Sequence, residues 1–133
     1  MDAFAQFKQT FFEECAELLA ASESHLADLE AGRADAETLH AIFRAIHSIK
    51  GGAGAFGFAR LVSFAHVFET LLDGMRDGRV PVAGDAVRLL IRANDAIGDL
   101  VRAAQAEEQV PEARGIRRSP LPSSASSCSI RGP

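Results

Sequence analysis

"LHAIFRAIHSIKGGAGAFGF", residues 39–58, changes character halfway along. Its first half sets Leu39, Ile42, Phe43, Ile46 and Ile49 at steps of three and four, the period of a helix with one apolar face. Its second half carries Gly51, Gly52, Gly54 and Gly57. Gly52 to Gly57 spell a literal G-x-G-x-x-G, the spacing of a dinucleotide loop. Such a loop works only between a strand and a helix, where the helix N-terminus receives the pyrophosphate. Here a helical pattern precedes the glycines, no P-loop G-x-x-x-x-G-K-[ST] occurs, and no second strand follows to offer an acidic ribose contact. The reading is therefore a helix that runs into glycines and turns, not a nucleotide site.

The same period extends on both sides. A first segment, about 3–31, has Phe4, Phe7, Phe11, Cys15, Leu18, Ser22, Leu26 and Leu29 on one face, with Asp2 as N-cap and Gly32 as stop. The second, about 35–53, is capped by Asp35 with Thr38 close behind. The third, about 58–77, presents Leu61, Phe64, Phe68, Leu71, Leu72 and Met75 and stops at Gly78. The fourth, about 85–106, presents Val87, Leu90, Ile91, Asn94, Ile97, Val101 and Ala104, capped by Asp85. No stretch alternates with period two for long enough to make a strand, and "RVPV" is short and carries a proline. The expectation is an all-α, up-down antiparallel four-helix bundle over residues 1–108. Residues 109–133 are rich in Pro, Ser, Gly and Arg and read as a linker or flexible tail, with a short extra helix over about 110–118 as the alternative.

Bulk composition narrows the function classes. Net charge is −4, but unevenly spread: residues 1–108 carry 17 acids and 10 bases, and residues 109–133 carry one acid and four arginines. An acidic folded part argues against nucleic acid as the main partner. No apolar run reaches the roughly 18 residues of a membrane span. The opening "MDAFAQFKQTFFEEC" lacks the basic region of a secretory signal, and Cys15 and Cys128 are placed too differently to suggest a disulfide. A cytoplasmic location is expected. His40, His47 and His66 lack standard zinc spacing, so no metal site is expected.

The glycines still need a reason, because each costs about 0.5–1 kcal/mol in a helix interior. Gly51 and Gly54 stand four and seven residues beyond His47, on the same helical face. They leave a bare strip beside an imidazole, the arrangement that lets another macromolecule approach. His47 lies at the edge of the apolar stripe, in a more polar row with His40, Arg44 and Gly51. An edge imidazole can turn one nitrogen inward and the other outward, and it becomes a nucleophile when a carboxylate holds the inner N–H. Lys50, three residues on, points to the same side and brings positive charge. "AHVFE" supplies His66 and Glu69 on one face of the third helix. Folding the second and third helices back on a turn near residue 56 brings Glu69 and His66 to within about one helical turn of His47. Phe4, Phe7 and Phe11, near the open end, form a candidate docking patch.

With "HSIKGGA" and "AHVFE" in hand, the chain resembles the histidine phosphotransfer (HPt, or P1) domain of the bacterial chemotaxis histidine kinase CheA. That family carries H-[ST]-x-K-G-[GA]-[AS] followed by A-H-x-x-E, and the resemblance covers about residues 3–106. It implies that His47 is phosphorylated on its outward nitrogen and that Glu69 accepts the inner N–H. It implies that Lys50 and His66 complete the polar network and that Gly51 leaves room for the phosphoryl group. Gly54, Arg44 and Phe11 are the further candidates for access and docking, since the family's regulator docks on the first two helices. The implied function is a phosphohistidine carrier without an ATP site of its own, as part of a histidine kinase. ATP and Mg²⁺ are used by the partner kinase domain and by the CheY- or CheB-type response regulator whose aspartate receives the phosphoryl group. CheA-type domains typically add a fifth helix, for which residues after 108 show no clear amphipathic period. Two alternatives fit the same residues: a phosphotransfer module of a non-chemotactic relay, and a helical bundle that docks a partner without chemistry. The double glycine and "AFGF" favour the chemotaxis type.

Overall fold

The computed structural model describes residues 3–33 and 35–109. It contains α1 (Ala3–Glu30), α2 (Ala36–Ala55), α3 (Ala59–Arg76) and α4 (Gly84–Gln109), and no strand among the described residues. Asp2, the residues after Gln109 with the expected tail, the short helix over about 110–118 and Cys128 all lie outside the described residues. The buried apolar core residues all fall between Phe11 and Val101.

The helices end where local chemistry ends them. After α1, Gly32 adopts φ 76° and donates to Leu29 O, while Arg33 donates to Asp28 O at 2.9 Å. After α2, Gly57 at φ 78° donates to Gly54 O and Phe58 donates to Ala53 O at 2.9 Å. Both are Schellman turns, in which a left-handed glycine satisfies the last carbonyls. At the start of α2 the Asp35 carboxylate accepts from Thr38 N and the Thr38 hydroxyl accepts from Asp35 N, a reciprocal cap. Asp85 is a correction. The first backbone bond of α4 runs from Val87 N to Ala83 O, so Asp85 lies inside the first turn, where it pairs with Arg88, and does not cap the helix.

Contacts pair neighbouring helices antiparallel. Between α2 and α3, Phe43 meets Arg76, and His47 and Lys50 meet Glu69, so positions later in α2 meet positions earlier in α3. Between α1 and α2, Phe4 meets Phe56 and Phe11 lies against Gly52. Asn94 Nδ2 donates to Leu19 O at 3.5 Å across α1 and α4. The up-down bundle read from periodicity is the fold.

Ile42, Ile46, Ile49, Leu72, Leu90 and Ile97 are 0% exposed and form the centre. Each such side chain contributes about 1.5–3 kcal/mol by leaving water. Cys15 packs among them as a free thiol, pushed up to about 12 by burial and then by the Glu14 charge, which leaves it an unreactive apolar group. Phe12, which the periodic stripe skipped, is also buried, its ring 5.7 Å from that of Phe58. Conversely, Phe4 and Phe7 sit on the stripe but are 54% and 64% exposed. Antiparallel pairing puts Phe4 level with the α2–α3 turn, against Phe56, at the end of α2.

Candidate functional site

On α2, His47 and Lys50 are one turn apart and face α3, whose Glu69 lies opposite. Glu69 is the pivot. Its side chain is 8% exposed, and both of its oxygens are engaged: Oε2 with His47 Nδ1 at 2.8 Å, and Oε1 with Lys50 Nζ at 2.7 Å. Burial by itself pushes the Glu69 carboxyl up. The hydrogen bonds and charges of Lys50 and His47 outweigh that and hold it below the usual carboxylate range. An ionised carboxylate only accepts, so in the neutral imidazole the proton resides on Nδ1, which donates to Oε2. The His47 side chain is 62% exposed, so Nε2, with its lone pair, is the nitrogen left for reaction. The arrangement is a fixed tautomer with an open nucleophilic nitrogen.

Around the imidazole the surface is bare. A Cβ built on Gly51 meets no atom within 4 Å, and one on Gly54 meets only Val62 Cγ2 at 3.9 Å. Gly52 belongs to a different surface. A Cβ there would overlap the ring of Phe11, so this glycine lets α1 and α2 approach closely.

The structure thus brings together His47, Glu69 and Lys50, with Gly51 and Gly54 open beside them. Arg44 is exposed, one turn before His47. His66 is placed differently from the expectation. Its imidazole is exposed and is not hydrogen-bonded to His47, Lys50 or Glu69; its backbone carbonyl accepts from Thr70 Oγ1. Phe11 is a correction as a docking residue. It is 7% exposed, clasped by Phe12, Phe56 and Phe58, so of the proposed patch only Phe4 and Phe7 face outward. Periodicity carried an available signal: Phe11 lies four residues before the buried Cys15, and Phe4 lies two turns further out.

Sequence reasoning placed Phe43 in the apolar stripe and gave Arg76 no role. Phe43 lies flat against His47, with ring centroids 5.9 Å apart and planes at 10°, and the Arg76 guanidinium stands 4.6 Å from the Phe43 centroid. Phe43 precedes His47 by four, a spacing that could have suggested the contact. Nothing local pointed to Arg76.

Among the described residues no group of three or more His, Cys, Asp or Glu side chains is gathered to hold a metal ion, and no helix is long and apolar enough to cross a membrane.

The chain as a whole is similar to known proteins. The family model described as the Hpt domain matches residues 6–114. The chain is 51% identical over 109 residues to the chemotaxis protein CheA of Rhizobium meliloti, covering 82% of this chain and 14% of that protein. It is 46% identical over 105 residues to CheA of Salmonella typhimurium, covering 79% of this chain and 16% of that protein. Among solved structures it is similar to the phosphorylated P1 domain of CheA3 in complex with CheY6 from R. sphaeroides, with TM-score 0.73 and 30% identity over 77% of this chain and 80% of that one. A protein with a redesigned hydrophobic core shares the fold alone, at TM-score 0.71 and 19% identity over 84% of this chain and all of the other.

Proposed function

The chain belongs to the Hpt domain family, and on that premise we propose that it is the phosphohistidine carrier of a chemotaxis two-component pathway, with His47 as the carrying residue. The observation that supports this most is the exposed imidazole whose inner nitrogen is bonded to a buried, doubly paired glutamate.

In this reading the Nε2 lone pair of His47 attacks the γ-phosphorus of ATP held by a histidine kinase catalytic domain. The P–O bond to the bridging oxygen breaks and its electrons leave with ADP. The ring now carries phosphorus on Nε2 and the original proton on Nδ1. The positive charge that develops is balanced by the Glu69 carboxylate, so no proton has to move. Lys50 anchors Glu69 from the other side and adds positive potential toward the arriving phosphoryl group. In the second half-reaction an aspartate oxygen of a CheY- or CheB-type regulator attacks the phosphorus, the P–N bond breaks, and its electrons return to Nε2. Mg²⁺ belongs to the kinase and regulator sites in this reading, and catalysis is mainly positioning and charge compensation. The chain spans about one seventh of the length of the CheA relatives it matches, so the kinase activity and the partners belong to this proposal.

The test is to incubate the chain with phosphoramidate, or with a chemotaxis kinase catalytic domain, ATP and Mg²⁺. Wild type should gain one acid-labile, base-stable phosphoryl group that disappears on adding a CheY-type regulator, and His47→Gln should gain none. Because His47 is largely exposed, that variant should melt within a few degrees of wild type. Equal labelling of both proteins would sink the assignment.

A further inference from the structure

Glu69 fixes His47 at one point. A single hydrogen bond at Nδ1 sets the tautomer and anchors one edge of the ring, but it leaves the ring free to rock about that contact, since the terminal torsion of histidine is broad. The rocking matters for phosphoryl transfer. The Nε2 lone pair lies in the ring plane, and in-line attack needs that lone pair, the phosphorus and the leaving oxygen on one line. A tilt of the plane swings the lone pair off that line. Something has to hold the plane as well as the edge.

The structure contains such a support. Phe43, one turn before His47 on α2, lies nearly parallel to it, at 10° and 5.9 Å between centroids. The Phe43 ring is itself only half-buried, on the rim of the core. The guanidinium of Arg76, in the last turn of α3, lies over it at 4.6 Å from Cζ to centroid. Arg76 Nη1 in turn donates to Asp73 Oδ1 at 3.2 Å. A cation on an aromatic face is attracted by the ring quadrupole, most strongly where water is partly excluded, and the Arg76 side chain is 33% exposed. The chain of contacts runs Asp73, Arg76, Phe43, His47. It reaches the imidazole from α3, as Glu69 does, but through its face and not its edge.

We propose that Phe43 and Arg76 are positioning residues for phosphoryl transfer at His47, with Arg76 acting through Phe43 to hold the plane of the imidazole. The proposal rests on His47 being the carrying residue. Neither Phe43 nor Arg76 touches the reacting nitrogen. Their contribution is a narrowed orientation of Nε2, and misplacement of a reacting atom by a fraction of an ångström is costly in rate.

The test combines a rate with a motion. Phosphorylation of the 133-residue chain by phosphoramidate is timed for wild type, Phe43→Leu, Phe43→Tyr, Arg76→Gln, Arg76→Lys and the double variant Phe43→Leu with Arg76→Gln. The order of the His47 ring is measured in each by side-chain NMR relaxation, which requires no phosphorylation. Phe43→Leu should slow labelling about tenfold and Arg76→Gln about threefold. Both should loosen the ring while the proton stays on Nδ1, since Glu69 is intact. Phe43→Tyr and Arg76→Lys should return to within about twofold of wild type. In the Phe43→Leu background, Arg76→Gln should add almost nothing, because its route to His47 is already gone. An Arg76→Gln effect of the same size with and without Phe43, or a ring equally ordered in wild type and Arg76→Gln, would overturn the proposal. If Phe43→Leu loses its helical signal, the Arg76 pair and Phe43→Tyr still decide it. Absence of label on wild type would count against the carrier reading, whereas labelled wild type with indifferent Arg76 variants would remove only the positioning role.

Discussion

α2 is clasped on two sides, and the two sides are built on opposite principles. Toward α3 the seam is polar: a buried carboxylate is bonded to an imidazole and an ammonium, and beside them the surface is left open. Toward α1 the seam is apolar and closed: the Phe11 ring fills the space where a methyl group on Gly52 would stand, and Phe12, Phe56 and Phe58 surround that ring. On the α1 side, packing gives stability and is indifferent to protonation. On the α3 side a buried charge is tolerated only because it is fully paired, and the pairing supports chemistry. One helix can therefore be damaged in its function or in its stability, depending on which side is struck.

The largest separation is expected from Glu69→Gln. Gln preserves shape but loses the charge that supports the phosphorylated ring. Labelling by phosphoramidate should fall about 10- to 100-fold, the range seen when a metal-binding histidine loses the carboxylate that orients it. Stability should fall by about 1–2 kcal/mol, a hydrogen bond to charged groups discounted for the exposure of His47 and Lys50. This stability gap should depend on pH in a defined direction. The folded carboxyl titrates below its ordinary value, so its contribution is complete above the unfolded pKa of about 4.3 and is lost as pH falls through the lower folded value. Denaturant melts of wild type and Glu69→Gln at a series of pH values should show a constant gap near neutrality that closes in acid. A gap that widened on acidification would mean the carboxyl is not held ionised by its partners.

Gly52→Ala should do the reverse. The new methyl group would collide with the Phe11 ring, which three other phenylalanines keep from moving aside. Overpacking of this kind costs about 1–3 kcal/mol, visible as a lower denaturant midpoint. The folded molecules should still label at close to the wild-type rate, since the α3 side is untouched. Retained stability with impaired labelling would mean that the two sides are coupled through α2.

How much of this contrast was legible in the sequence depends on whether a feature is local. Helix faces, the Asp35 cap and the glycine stops all depend on neighbours within a turn or so, and they were readable. An antiparallel hairpin with a short turn leaves few registers and brings Glu69 within a turn of His47, and the family resemblance then names it as the partner. His66, on the same face as Glu69, could not be sorted from it, since a difference of three residues is only one turn across the seam. Phe11 groups with Phe4 and Phe7 as a docking patch because a periodic stripe does not show where the opposing helix ends; Phe4 lies level with the α2–α3 turn, whereas Phe11 lies against Gly52 inside α2. The Arg76–Phe43 contact joins positions on two helices with no charge complementarity to advertise it. Gly51 and Gly52 looked alike in the string, yet Gly52 follows the buried Ile49 by three residues and Gly51 follows the exposed His47 by four.

That last pair gives the smallest expected effect and the finest test. Gly51 lies inside α2 with ordinary helical backbone and open space where a Cβ would stand. In the isolated chain, Gly51→Ala should therefore stabilise by about 0.5–1 kcal/mol through helix propensity alone. Its methyl group would stand one turn from His47, on the strip a macromolecular partner has to approach. Labelling by phosphoramidate, a donor small enough to ignore a methyl group, should be unchanged. Transfer from phosphorylated His47 to a CheY-type regulator should slow a few-fold, and Gly51→Leu should slow it further while leaving phosphoramidate labelling in place. If both variants transfer as fast as wild type, the bare strip is not an approach surface. The sequence would then be tolerating a costly glycine at position 51 for a reason that lies outside the α2–α3 seam.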